Sequence, residues 1–102
     1  MSSWKAYEAE RARILQEFGS GVRALRRQKA VELESPQYGQ DKLGEDADLH
    51  RTEIGKIEPA ETEPRLLTLM ILADGLGVTL NDLVEGLPVP KERKPPPGRR
   101  DR

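Results

Sequence analysis

His50, Arg51, Thr52 and Lys56 are the residues of this chain whose types and spacing carry the most chemistry. Written as a helix, the segment His50 to Glu58 turns Ile54 and Ile57 to one side. It leaves His50, Arg51, Thr52, Gly55 and Lys56 on or near the other. The outward set is rich in hydrogen-bond donors. A guanidinium such as Arg51 pairs bidentately with guanine O6 and N7, and Thr52 can touch a thymine methyl or a phosphate. His50 can donate to either, and Lys56, one turn on, reaches a base or a phosphate. The chemistry of such a face is recognition, not bond making. Catalysis has little to stand on, because His50 is the sole histidine and there is no cysteine. Neither a two-histidine metal site nor a thiol nucleophile can form. Carboxylates such as Glu61 and Glu63 are read as surface charge. No enzyme activity, cofactor or metal is expected.

These residues need elements to hold them in place. With only Trp4, Tyr7, Phe18 and Tyr38 as aromatics, the core must rest on Leu, Ile, Val and Ala, which suits packed helices, and no strand signal is present. One domain is expected from 102 residues. Trp4, Tyr7, Ile14, Leu15, Phe18, Val22 and Leu25 recur at helical steps and predict a helix over 4–29, capped by Ser2 and Ser3. Gly19 and Gly21 flank Ser20 as a weak point where that helix could kink or split. Residues 30–38 read as a helix end and a loop, since Ser35 precedes Pro36. A second helix fits Gln40–Ala47, begun at Gly39 without a side-chain cap, and a third fits His50–Glu58, stopped by Pro59. Leu66, Leu67, Leu69, Met70, Leu72 and Ala73 give a fourth, with Pro64 near its start and Gly75 and Gly77 at its end. Thr79 caps a fifth through Val84, with Asp82 as a partial capping box.

The span Gln40–Glu58 has the layout of a helix-turn-helix. Leu43, Ala47, Leu49, Ile54 and Ile57 supply the buried faces, Gly44 permits close approach, and Asp48 tolerates the left-handed geometry that the turn needs. From Phe18 to about Leu87 the chain resembles the lambda repressor/Cro-like (Xre) family. The similarity lies in Phe18-Gly19 and Val22–Arg27, Gln40, Leu49–Thr52 with Ile54 and Ile57-Glu58, and the blocks Leu69, Leu72–Asp74, Leu76–Val78 and Leu80–Leu83. The resemblance implies an all-α, five-helix lambda repressor-like DNA-binding domain over 18–87. An N-terminal helical extension would occupy 1–17, and a disordered Pro/Lys/Arg-rich tail 88–102. It implies sequence-specific transcriptional regulation, with the helix at about 50–58 in the major groove. The expected DNA-binding residues are Gln40, His50, Arg51, Thr52, Gly55 and Lys56, with phosphate contacts from Arg23, Arg26 and Arg27. The chain departs from the family where 30–39 is longer, and where Pro59-Ala60 replaces a basic residue and glycine. Glu53, Glu58, Glu61 and Glu63 are expected to bring negative charge near the DNA surface.

Charge is divided unevenly. Residues 91–102 carry six basic and two acidic side chains, and residues 1–90 carry 11 basic and 16 acidic. An acidic body favours an alternative reading, a protein-interaction module (antitoxin, anti-repressor or adaptor) with a weakened DNA face. The expected partners are double-stranded DNA and a second copy of the chain, or a protein in the alternative case. Two homodimer surfaces are suggested, Trp4–Leu15 and Leu80–Leu87. Without an apolar run of membrane length or the layout of a signal peptide, a cytoplasmic protein is expected and no membrane partner.

Overall fold

A computed structural model describes residues 3–92. Five helices follow one another among them: α1 (Ser3–Glu32), α2 (Gln40–Ala47), α3 (Arg51–Ile57), α4 (Leu66–Leu76) and α5 (Leu80–Val84). No strand occurs among the described residues. No helix among them is long and apolar enough to cross a membrane. The expected capping by Ser2 and Ser3 rests on side chains outside the described residues. The disorder expected of the tail beyond Glu92 lies outside them too.

One core unites the helices. Phe18 and Val22 from α1 meet Leu43 of α2, Ile54 and Ile57 of α3, Leu72, Ala73 and Leu76 of α4, and Leu83 of α5. Leu43, Ile54 and Leu72 are sealed from solvent, so α2, α3 and α4 meet at the centre. Most of the expected apolar positions are the ones that face inward.

α1 runs unbroken through Gly19 and Gly21, contrary to the expected kink or split. The two glycines do different things. A Cβ on Gly19 would collide with the carbonyl oxygens of Ile57 and Glu58, whereas one on Gly21 would meet open space. Gly19 is therefore the point where α1 touches the end of α3, and the helical ladder tolerates both. α1 also extends past 29 to Glu32, because the restriction imposed by Pro36 reaches back only to Ser35. Glu34, at φ 53°, ends the run, and the Ser35 amide donates back to the Ala30 carbonyl at 2.9 Å.

The loop that follows is not idle. Tyr38 is buried, and its hydroxyl donates to Asp46 Oδ2 at 2.5 Å. Lys29 Nζ reaches the same carboxylate oxygen at 2.7 Å and the Gly75 carbonyl at 2.5 Å, and it lies 5.1 Å from the Tyr38 ring centre. The hydrogen bond from Lys29, with that from Tyr38, holds the Asp46 carboxyl below its ordinary range. One lysine thus ties α1 to α2 and to the end of α4.

Local signals hold elsewhere. Gly39 begins α2 without a side-chain cap, and Thr79 and Asp82 form a complete reciprocal capping box at α5, both bonds 3.0 Å. The segment after α5 departs from a free tail over its first residues. Pro88 and Pro90 line a hollow of about 170 Å³ with Tyr7, Arg11, Ile14 and Leu15 of α1. The Glu92 amide donates to Glu10 Oε1 at 2.9 Å. Residues 88–92 thus run beside the N-terminal half of α1, with Pro88, Val89 and Lys91 exposed.

Candidate nucleic-acid interface

α2 and α3 are joined by Asp48, Leu49 and His50. Asp48 takes the left-handed conformation, φ 56° and ψ 41°, and its amide bonds back to Glu45 and Gly44 as the C-cap of α2. A Cβ on Gly44 would lie 2.6 Å from the Leu49 carbonyl oxygen, so the turn folds over that residue only because it lacks a side chain. His50 is the N-cap of α3 rather than its first residue. Its Nδ1 accepts the Thr52 amide at 3.1 Å, which leaves Nε2 to face outward as the donor.

Successive residues of α3 are rotated by about 100°. With Ile54 and Ile57 buried, the opposite arc carries Arg51, Gly55, Thr52 and Lys56 in angular order. Arg51, Thr52 and Lys56 are exposed, as is His50 at the helix start. Among the described residues neither Arg51 nor Lys56 has an ion-pair partner, and Arg27 on α1 has none either. Glu53 is exposed on the flank and lines a hollow with Arg65 and Thr68 on the α4 side.

The remaining expected residues meet at a carboxylate that the sequence presents as surface charge. Glu58 is buried, its side chain at 0% exposure. Arg26 Nε donates to its Oε2 at 2.7 Å and Arg26 Nη2 to Oε1 at 2.8 Å. Gln40 Nε2 donates to Oε1 at 2.9 Å, and Arg23 Nε at 3.3 Å. Burial pushes the Glu58 carboxyl up, but the hydrogen bonds from Arg26, Gln40 and Arg23 and the charge of Arg26 outweigh it. The group stays ionised below its ordinary range. The Glu58 hydrogen bond raises Arg26 in turn. Two expectations are corrected here. Glu58 adds no negative charge to the outer surface, and Arg26, at 12% side-chain exposure, turns its guanidinium inward instead of toward phosphate. Gln40 likewise spends its amide nitrogen on Glu58, with its Oε1 beside Gly55. Arg23 keeps 41% of its side chain exposed while touching the same carboxylate.

No family model, curated protein or solved structure matches this chain. What the geometry provides is an outward arc of donors on a short helix whose base is locked by a buried ionic network. The sequence reading missed the role of Glu58 and the burial of Tyr38. The signal for Glu58 was its place directly after the buried Ile57, at the close of a helix, with arginines spaced three apart on α1. At α3's end, Glu58 retains helical geometry and Ala60 takes φ 66°. There the Ala60 amide bonds to Ile57 and the Glu61 amide to Lys56, at 3.0 and 2.8 Å.

Proposed function

We propose that the chain is a sequence-specific DNA-binding transcriptional regulator of lambda repressor-like architecture, with α3 as the helix that enters the major groove. The observation that carries this reading is the outward arc of α3. Arg51, Thr52 and Lys56 stand exposed, the two cations have no ion-pair partner among the described residues, and Glu58 has been withdrawn from the same surface. In this reading Arg51 reads a base, Thr52 and His50 Nε2 contact a base or phosphate, and Lys56 reaches one turn further. Gly55 lets the backbone approach. Arg23 and Arg27 remain as phosphate contacts from α1, while Arg26 and Gln40 hold α3 in place from behind. A homodimer would present two such helices to a two-fold site.

A second reading is favoured by the acidic body and by the exposed Glu53 beside the arc. It is a protein-interaction module that keeps the helical scaffold and has a weakened DNA face. Affinity selection of fragmented genomic DNA on the purified chain separates the two, with an Arg51→Ala/Lys56→Ala variant in parallel. Enrichment of a short site that the variant loses supports the regulator. A folded protein that enriches nothing at low salt overturns it in favour of the module.

A further inference from the structure

α4 is apolar nearly all the way round: Leu66, Leu67, Leu69, Met70, Ile71, Leu72, Ala73 and Leu76 occupy eight of its 11 positions. A helix of that kind normally lies buried on every side. Here Leu72, Ala73, Gly75 and Leu76 face the core, whereas Leu66, Leu67, Met70 and Ile71 are 62, 68, 49 and 40% exposed. The exposed four lie at helical steps on one face, which Asp74 continues one turn later, also exposed. Of the surfaces suggested by the sequence, part is used within the chain, while Trp4 stays 41% exposed. Leu83 is buried, Leu80, Val84 and Leu87 pack against the core, and Ile14 and Leu15 share a hollow with Pro88 and Pro90.

We infer that this face of α4 is the contact between two copies of the chain, with the two α4 helices packed antiparallel across a two-fold axis near Met70. The electrostatics of α4 select this occupant and this direction. Arg65 is the N-cap and supplies no side-chain cap, and the first turn holds no acidic residue, so the positive pole there has no carboxylate from its own helix, with Glu53 and Glu63 only bordering it from outside. Asp74 stands in the last turn, where the negative pole of its own helix disfavours a carboxylate. Antiparallel pairing centred on Met70 brings Asp74 level with Leu66 of the other copy, beside that uncapped pole. Each misplaced carboxylate then meets the charge that its own helix lacks at that end. Meanwhile Met70 closes on Met70 of the second copy, and Leu67 of each copy falls between Met70 and Asp74 of the other, the reciprocal pattern an isologous contact has. A single helix pair makes a contact at the small end of specific interfaces, and the dimer dissociates on dilution.

Sedimentation equilibrium of the full chain, without DNA, tests this across micromolar to millimolar concentration. Wild type shifts from monomer to dimer, and Leu67→Lys and Met70→Lys stay monomeric. Asp74→Lys is the sharper variant, because a lysine in the last turn suits its own helix pole. Its thermal midpoint holds or rises while dimer affinity falls about tenfold. The chain has no cysteine, so Met70→Cys alone should be cross-linked across the axis by a short bismaleimide, and Val31→Cys, 76% exposed, should not. A wild type that stays monomeric throughout overturns the inference. So does a Leu67→Lys or Asp74→Lys variant that dimerises as wild type does, or a Met70→Cys that resists cross-linking. Arg51→Ala/Lys56→Ala leaves the mass unchanged, so loss of DNA binding and loss of the dimer are separate results.

Discussion

Arg26 grips Glu58 with two nitrogens, at 2.7 and 2.8 Å, joining residues 32 positions apart around a carboxylate that no solvent touches. Removing one partner of such a pair strands the other charge. Arg26→Ala and Glu58→Ala should each lower unfolding free energy by about 3 kcal/mol. Arg23→Ala, whose side chain is 41% exposed, should cost less than about 1 kcal/mol. Urea unfolding followed by circular dichroism gives all three values. Equal costs for Arg23→Ala and Arg26→Ala would contradict the geometry.

The same network sets an acid limit. The carboxyl of Glu58 lies below its ordinary value of 4.5 in the folded chain, so the unfolded chain binds the proton more readily. Its contribution to stability is complete above about pH 4.5 and is lost as the pH falls through the lowered value. The urea midpoint of wild type should therefore decline on acidification through that window. In Glu58→Gln this part of the decline should be missing. An unchanged acid profile in the variant would assign the loss to other carboxylates.

Two glycines on α1 should respond oppositely to alanine. Gly21→Ala adds a Cβ in open space and should stabilise by about 0.5–1 kcal/mol. Gly19→Ala drives a Cβ into the Ile57 and Glu58 carbonyls and should destabilise by about 2 kcal/mol or more. Ala60, at φ 66°, should gain about 1 kcal/mol on replacement by glycine. Thermal midpoints of the three variants are enough to check this set.

His50 caps α3 through Nδ1. His50→Ala should cost about 1 kcal/mol of stability, and His50→Ser or His50→Asn should restore it. In DNA titrations Arg51→Ala should weaken the preferred site by about 1–3 kcal/mol. At temperatures where it remains folded, Arg26→Ala should leave the salt dependence of binding unchanged, because its guanidinium is already engaged by Glu58. A flattened salt slope in Arg26→Ala would place that side chain on phosphate after all.

The elements that the sequence made legible are those governed by neighbours in the chain. Asp48 in the left-handed turn, the box of Thr79 and Asp82, and the arc of α3 follow from local periodicity and capping, and all three are present. The misreadings share one cause, a partner outside the residue's own helix or turn. Gly19 looked like a break because its reason for being small is the end of α3. Tyr38 looked like loop because Asp46 and Lys29 receive it. Arg26 and Gln40 looked like phosphate ligands because their composition is the same whether a phosphate or a buried carboxylate faces them. The outer face of α4 escaped notice for the converse reason, since apolar periodicity does not say which of two apolar faces the core will take.

The acceptors on Glu58, at the end of α3, are filled from two other stretches of chain, the middle of α1 and the first residue of α2, so the network joins three. Neither α1 nor the end of α3 can leave alone without abandoning an ion in the interior, and α2 cannot leave without taking a hydrogen bond from it, so the network makes partial unfolding expensive and couples the three into one opening event. The N-terminal half of α1 sits outside that event. In hydrogen exchange, amides before Leu15 should open on their own, while those of α1 beyond Phe18 exchange together with α2 and α3. The long helix, continuous in structure, should then behave as two units in its dynamics.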